Sequence, residues 1–114
     1  TPPTAAPAWL AAELAAGRVL SADRANRALA EFLADRPSQK TVDGFAEFLT
    51  HAGLVTAFQA ERAAAGQART LSVGPYLLRE PVGTGSLGTV YHAVHRGDGR
   101  QLAVKVLPIR SLWH

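Results

Sequence analysis

Two patterns of apolar and polar positions divide the chain. Up to residue 66 the larger apolar side chains recur at helical spacing, as in Leu29, Phe32 and Leu33 or Phe45, Phe48 and Leu49. This segment predicts four short helices arranged as two hairpins. The first, over 9–16, stops at Gly17, expected as a left-handed C-cap residue. Ser21 is placed to N-cap a second helix over 22–34, which Pro37 would break. A third, over 42–52, ends at Gly53, and Thr56-Ala57-Phe58-Gln59 has capping-box form at the head of a fourth that ends near Gly66. Trp9, Leu14, Leu29, Phe32, Leu33, Phe45, Phe48, Leu49 and Phe58 are the large side chains available for a core.

The two hairpins also look like a weak internal repeat. A shift of 35 residues superposes Leu20 on Val55, Ser21 on Thr56, Ala25 on Ala60 and Arg27 on Arg62. Each unit reads helix, glycine turn, apolar staple, cap, helix.

Helical periodicity is lost over 67–73, and β-branched and aromatic residues then collect in short runs. The first strand is expected over 76–82, with Pro81 at an edge or bulge where its missing N–H is tolerated. Thr89-Val90-Tyr91-His92-Ala93-Val94-His95 reads as a second strand. The turn around Asp98-Gly99 reverses the chain into a third, over 101–107, closed by Pro108. The expected fold class is therefore α+β, with N-terminal helical hairpins followed by a three-stranded antiparallel meander.

Between the first two strands lies Val82-Gly83-Thr84-Gly85-Ser86-Leu87-Gly88-Thr89-Val90, and Leu102-Ala103-Val104-Lys105 follows. Glycines at 83, 85 and 88 let backbone N–H groups approach anionic oxygens without intervening Cβ atoms, and Lys105 adds a positive charge. A Gly-x-Gly-x-x-Gly spacing alone also opens dinucleotide-binding folds, where the third glycine begins a helix and an acidic residue follows about 20 positions later. Neither feature is present after Gly88. By residue type alone Val82, Val90 and Ala103 also suit one face of a sheet, and Lys105 suits a solvent-facing position.

The combination of this loop with Leu102-Ala103-Val104-Lys105 resembles the start of a protein kinase domain over about residues 74–108, with Tyr91 and Ala93 fitting the usual continuation. Gly74-Pro75-Tyr76 is similar to the entry of many bacterial serine/threonine kinases, and the segment from Phe48 to Glu61 resembles the helical region preceding some planctomycete-type kinase domains. The resemblance implies an incomplete kinase small lobe. It implies that Val82, Val90 and Ala103 enclose an adenine, that Gly83, Thr84, Gly85, Ser86, Leu87, Gly88 and Thr89 cover the phosphates of ATP, and that Lys105 contacts the α- and β-phosphates as the catalytic lysine. Leu87 departs from the aromatic, small or methionine residue more often found at that tip.

Phosphoryl transfer in this family also requires a lysine-pairing glutamate, a catalytic aspartate and asparagine, and a magnesium-binding aspartate. None follows Pro108, so the Mg2+ ligands are expected outside this sequence and no metal-binding residue is assigned within it. The start at Thr1 agrees with a segment of a longer protein. The expected organisation is a helical accessory domain over 1–66, a linker over 67–73, and a truncated kinase N-terminal region over 74–114. Such a piece is expected to bind ATP and to be inactive alone. The complete protein would phosphorylate protein hydroxyls, and the alternative is a helical interaction module attached to a pseudokinase.

Composition alters this picture little. The chain has 114 residues, and much of its 47% hydrophobic content is alanine, which favours helix but buries little area. The absence of cysteine excludes disulfides and agrees with a cytoplasmic location, and no apolar run approaches the roughly 20 residues of a membrane span. The net charge of +3 lies wholly in residues 71–114, which hold five Lys/Arg against two Asp/Glu. A bound triphosphate accounts for that excess, so nucleic acid is not expected as a partner. The expected partners are ATP, a protein substrate of the complete protein, and a protein ligand of the helical domain.

Overall fold

A computed structural model describes residues 6–35 and 40–108. Four helices, α1 (Pro7–Ala16), α2 (Ala22–Asp35), α3 (Val42–His51) and α4 (Ala57–Ala64), precede a 3-10 turn (Ala68–Leu71) and an antiparallel sheet. The sheet runs β1 (Ser72–Val73), β2 (Tyr76–Gly85), β3 (Gly88–His95) and β4 (Gln101–Val106), in that spatial order. Pro37, expected to end the second helix, lies outside the described residues.

The α+β class stands, but the sheet has four strands rather than three. The extra strand is made by Ser72 and Val73, which pair with Leu77 and Tyr76 around the turn at Gly74 and Pro75. Two residues are too few to show a period of two, so nothing in their sequence separated them from the connection. That connection is packed. Ala68 and Leu71 are fully buried, the Glu13 carboxylate accepts from the Ala68 N–H at 3.0 Å, and the Ser72 hydroxyl donates to the Gly17 carbonyl at 2.7 Å.

α1 sits at the centre of the helical unit, touching α2, α3, α4 and the 3-10 turn. Its sequence is apolar nearly all round, as burial on several sides requires, and Glu13 is its one charged residue. Proline at the first helical position starts it without a side-chain cap, because that N–H has no intrahelical partner in any case. Phe32 packs at 5.2 and 5.5 Å from the Phe45 and Phe48 rings, joining the two hairpins. Of the expected core, Leu14, Phe32, Phe45 and Leu49 are fully buried and Trp9, Leu29, Phe48 and Phe58 partly so, while Leu33 is 37% exposed. Alanines complete the centre, and their small volume lets the helices approach closely.

The repeat is visible in the hydrogen bonds. The Val19 N–H donates to Leu14 O at 2.9 Å and the Leu54 N–H to Leu49 O at 3.0 Å, the long bond of a Schellman turn in both units. Ser21 and Thr56 then cap α2 and α4 through the N–H groups of Arg24 and Gln59. The expected left-handed residue in the first turn is corrected by one position. It is Arg18, with φ 60°, whereas Gly17 is right-handed with φ −81°. A Cβ on Gly17 would lie 2.7 Å from the backbone of Ala68, so glycine is demanded by close approach and not by its φ. In the second unit the left-handed residue is Gly53, the counterpart of Arg18 in the 35-residue shift.

The helices cover one face of the sheet only. Leu78, Tyr91 and Ala93 join the helical core, and Leu102, Val104 and Val106 are half-buried on the same side. Gln101, Ala103 and Lys105 alternate with them and are exposed on the other face. The Phe58 ring of α4 lies 5.7 Å from the Tyr91 ring, and the Arg62 guanidinium stands 4.8 Å above Phe58.

Candidate functional site

The glycine-rich segment is the closed end of a β-hairpin. The ladder continues through Gly83, Thr84 and Gly85 opposite Val90, Thr89 and Gly88, leaving Ser86 and Leu87 as a two-residue turn. β2 was expected to stop at Val82; it runs three residues further because glycine, although a weak strand former, leaves the ladder hydrogen bonds available. Two register shifts bend β2, one between Leu78 and Glu80 and one between Pro81 and Gly83. Pro81 pairs with Tyr91 beside the second, as its missing N–H favours.

Gly83 pairs with Val90, and Val90 with Lys105. These three residues form a row across three strands, on the face turned away from the helices. Directly opposed residues in a ladder hold their Cβ atoms about 4.5–5.5 Å apart, so the Lys105 side chain starts beside Val90 and next to the hairpin end. A cleft of 360 Å³ is lined by Gly83, Thr84, Gly85, Ser86, Leu87, Gly88, Val90 and Lys105. Thr89 pairs with Val106 and its hydroxyl lies 3.4 Å from that of Thr84, outside the lining. Ala103 is exposed on the open face without lining the cleft, and Val82 stands 65% exposed at the second register shift. Leu87 at the hairpin end is 62% exposed.

The three loop glycines differ in what demands them. Gly88 has φ 144°, and a Cβ there would meet the Val106 carbonyl oxygen at 2.4 Å, so the fold itself requires glycine. Gly83 and Gly85 have no positive φ, and their Cβ atoms would project into open space. Lys105 has no carboxylate within ion-pair distance among the described residues, and no cluster of three His, Cys, Asp or Glu side chains forms a metal site among them. The arrangement offers an ammonium group, a strand end without side chains at two positions, and an exposed leucine, Leu87, at its edge.

Two features were not foreseen from the sequence. His92, read only as a strand residue, shares the open face with Lys105 and holds Gln101 through Nε2 to Oε1 at 3.0 Å. Gln59, foreseen only as a capping residue, reaches the strand that carries the glycines, donating from Nε2 to the Leu78 carbonyl at 2.9 Å. The capping-box spacing carried half of that role, and no local signal carried the other half. Compared with known proteins, the chain matches no family model, no curated protein and no solved structure. No described helix is long and apolar enough to cross a membrane.

Proposed function

We propose that the open face of the sheet is an ATP-holding surface and that the chain is the N-terminal region of a serine/threonine protein kinase. The observation that carries this reading is the row Gly83–Val90–Lys105 beside a cleft whose other wall is the glycine hairpin. Gly83 and Gly85 support it because the fold has no need of glycine there, whereas a phosphate group brought against the backbone does. Val90 and the exposed Val82 and Ala103 are apolar surface of the kind that takes a purine base. ATP fits these residues, with Lys105 on its phosphates and the hairpin over them. Magnesium, when bound with the nucleotide, would neutralise phosphate charge, and its protein ligands would come from residues other than those described.

The test is titration of the 114-residue chain with ATP, with and without Mg2+. Loss of the charge-assisted contact in Lys105→Ala weakens binding by about ten- to a hundredfold, corresponding to roughly 1.5–3 kcal/mol. Arginine does not restore it, since a planar fork cannot replace a compact ammonium. A wild-type chain that holds ATP no better than Lys105→Ala would overturn the reading. Transfer from labelled ATP by the full-length protein separates the two forms of the proposal: transfer lost in Lys105→Ala marks a kinase, and binding without transfer marks a pseudokinase joined to an interaction module.

A further inference from the structure

We propose that Gln59 is a positioning residue for the glycine hairpin, which makes α4 the element through which the helical unit acts on the open face of the sheet. The nucleotide part of this inference rests on the function proposed above. Gln59 is 2% exposed, and both ends of its amide are used. Oε1 accepts from the Thr56 N–H at 2.9 Å, closing the capping box, while Nε2 donates to Leu78 O at 2.9 Å. The Thr56 hydroxyl accepts from the Gln59 N–H and donates to Arg79 O. The N-terminus of α4 therefore grips two successive carbonyls of β2.

Those carbonyls stand where β2 most needs fixing. β1 stops opposite Leu77, and the first register shift begins at Leu78. A bulge re-aims the strand beyond it, and here that strand runs on to Gly83 and Gly85. Without the Gln59 donor a buried carbonyl is left unsatisfied and the bend of β2 loses its anchor. Phe58, beside Gln59 in the first turn of α4, and Arg62, one turn further on, hold the other strand of the same hairpin through Tyr91. Both strands leading to the glycines are thus mounted on one helix, on the side opposite Lys105. A ligand or partner that shifts α4 would shift the hairpin with it.

Gln59→Glu separates this role from simple helix capping. Glutamate at the third helical position still accepts from the Thr56 N–H, so the cap survives, but the donor to Leu78 O is gone. The expected result at pH 8 is amide exchange about tenfold faster over 79–88, with α4 amides as protected as in the wild type, and ATP affinity about tenfold weaker, within the usual range for coupled sites. As the pH falls and the desolvated carboxyl takes up a proton, an O–H donor returns and the difference from the wild type at the same pH closes. Gln59→Leu, which lacks both groups, shows no such recovery. Unchanged exchange over 79–88 in Gln59→Glu, or faster exchange throughout the chain, would overturn the inference. A wild-type chain that binds no ATP would remove the proposed function, while the exchange comparison would still decide the role of Gln59.

Discussion

Replacing each loop glycine by alanine sets the demands of the fold against those of a ligand. At Gly88 the substitution places a Cβ 2.4 Å from the Val106 carbonyl oxygen and 3.1 Å from Leu107 Cδ2, on a residue with φ 144°. Relief requires β3 and β4 to part beside Lys105 or the backbone to leave its φ, and a strained residue of this kind costs about 1–3 kcal/mol. At Gly83 and Gly85 the Cβ meets nothing within 4 Å and the φ suits any residue. Alanine there reduces the freedom of the unfolded chain and stabilises by roughly 0.5 kcal/mol. Thermal unfolding resolves the contrast, since 1 kcal/mol moves the midpoint by about 4–8 °C in a domain near this size. ATP titration of the same proteins supplies the second axis: Gly83→Ala and Gly85→Ala should keep or raise stability and, on the proposed function, lose affinity, because the added methyl groups would occupy the space that proposal gives to the phosphates. Gly83→Ala as destabilising as Gly88→Ala would refute the structural argument. Undiminished ATP affinity in both stable variants would refute the phosphate role.

The described contacts fix outcomes elsewhere in the chain as well. Arg18→Gly should stabilise by about 0.5–1 kcal/mol in urea unfolding, because relief of a left-handed non-glycine residue, about 1–2 kcal/mol, exceeds the entropy cost of glycine; Gly17→Ala should destabilise, its Cβ lying 2.7 Å from Ala68. Phe32→Ala removes a fully buried ring touching Phe45 and Phe48 and should cost about 3–5 kcal/mol, followed by helical circular dichroism; a loss below about 1 kcal/mol would contradict the packing. The Asp98 carboxyl is held below the usual carboxylate range, first by the Arg100 N–H and against some desolvation, with the Arg100 side chain adding to the lowering. Its contribution is present above about pH 3.9, the unfolded value, and is lost as pH falls through the lower folded value; carboxyl titration by NMR should give that lower midpoint, and Asp98→Asn should abolish the acid loosening of the 96–100 turn.

Several features held by bonds within a few residues were legible in the sequence. Ser21 and Thr56 cap because their hydroxyls meet N–H groups three residues on, and Gly53 is left-handed because a helix ends there. A strand over 101–107 and a glycine segment leading into β3 were equally legible, whereas the common face of Ala103 and Lys105 emerged from the sheet. The candidate site was legible as a set of residue types. Its row Gly83–Val90–Lys105 needed the register, and register depends on two bulges whose position no local preference sets. The same holds at Gly17, where the deciding atoms belong to Ala68; Ser72 and Val73 pair with residues only three to five positions away, and they escaped notice because two residues show no alternation. Gln59 shows the division within one side chain. Its Oε1 answers a helix N-terminus three residues away, which spacing reveals, while its Nε2 answers a carbonyl nineteen residues along the chain, which only the packing of α4 on the sheet brings within reach.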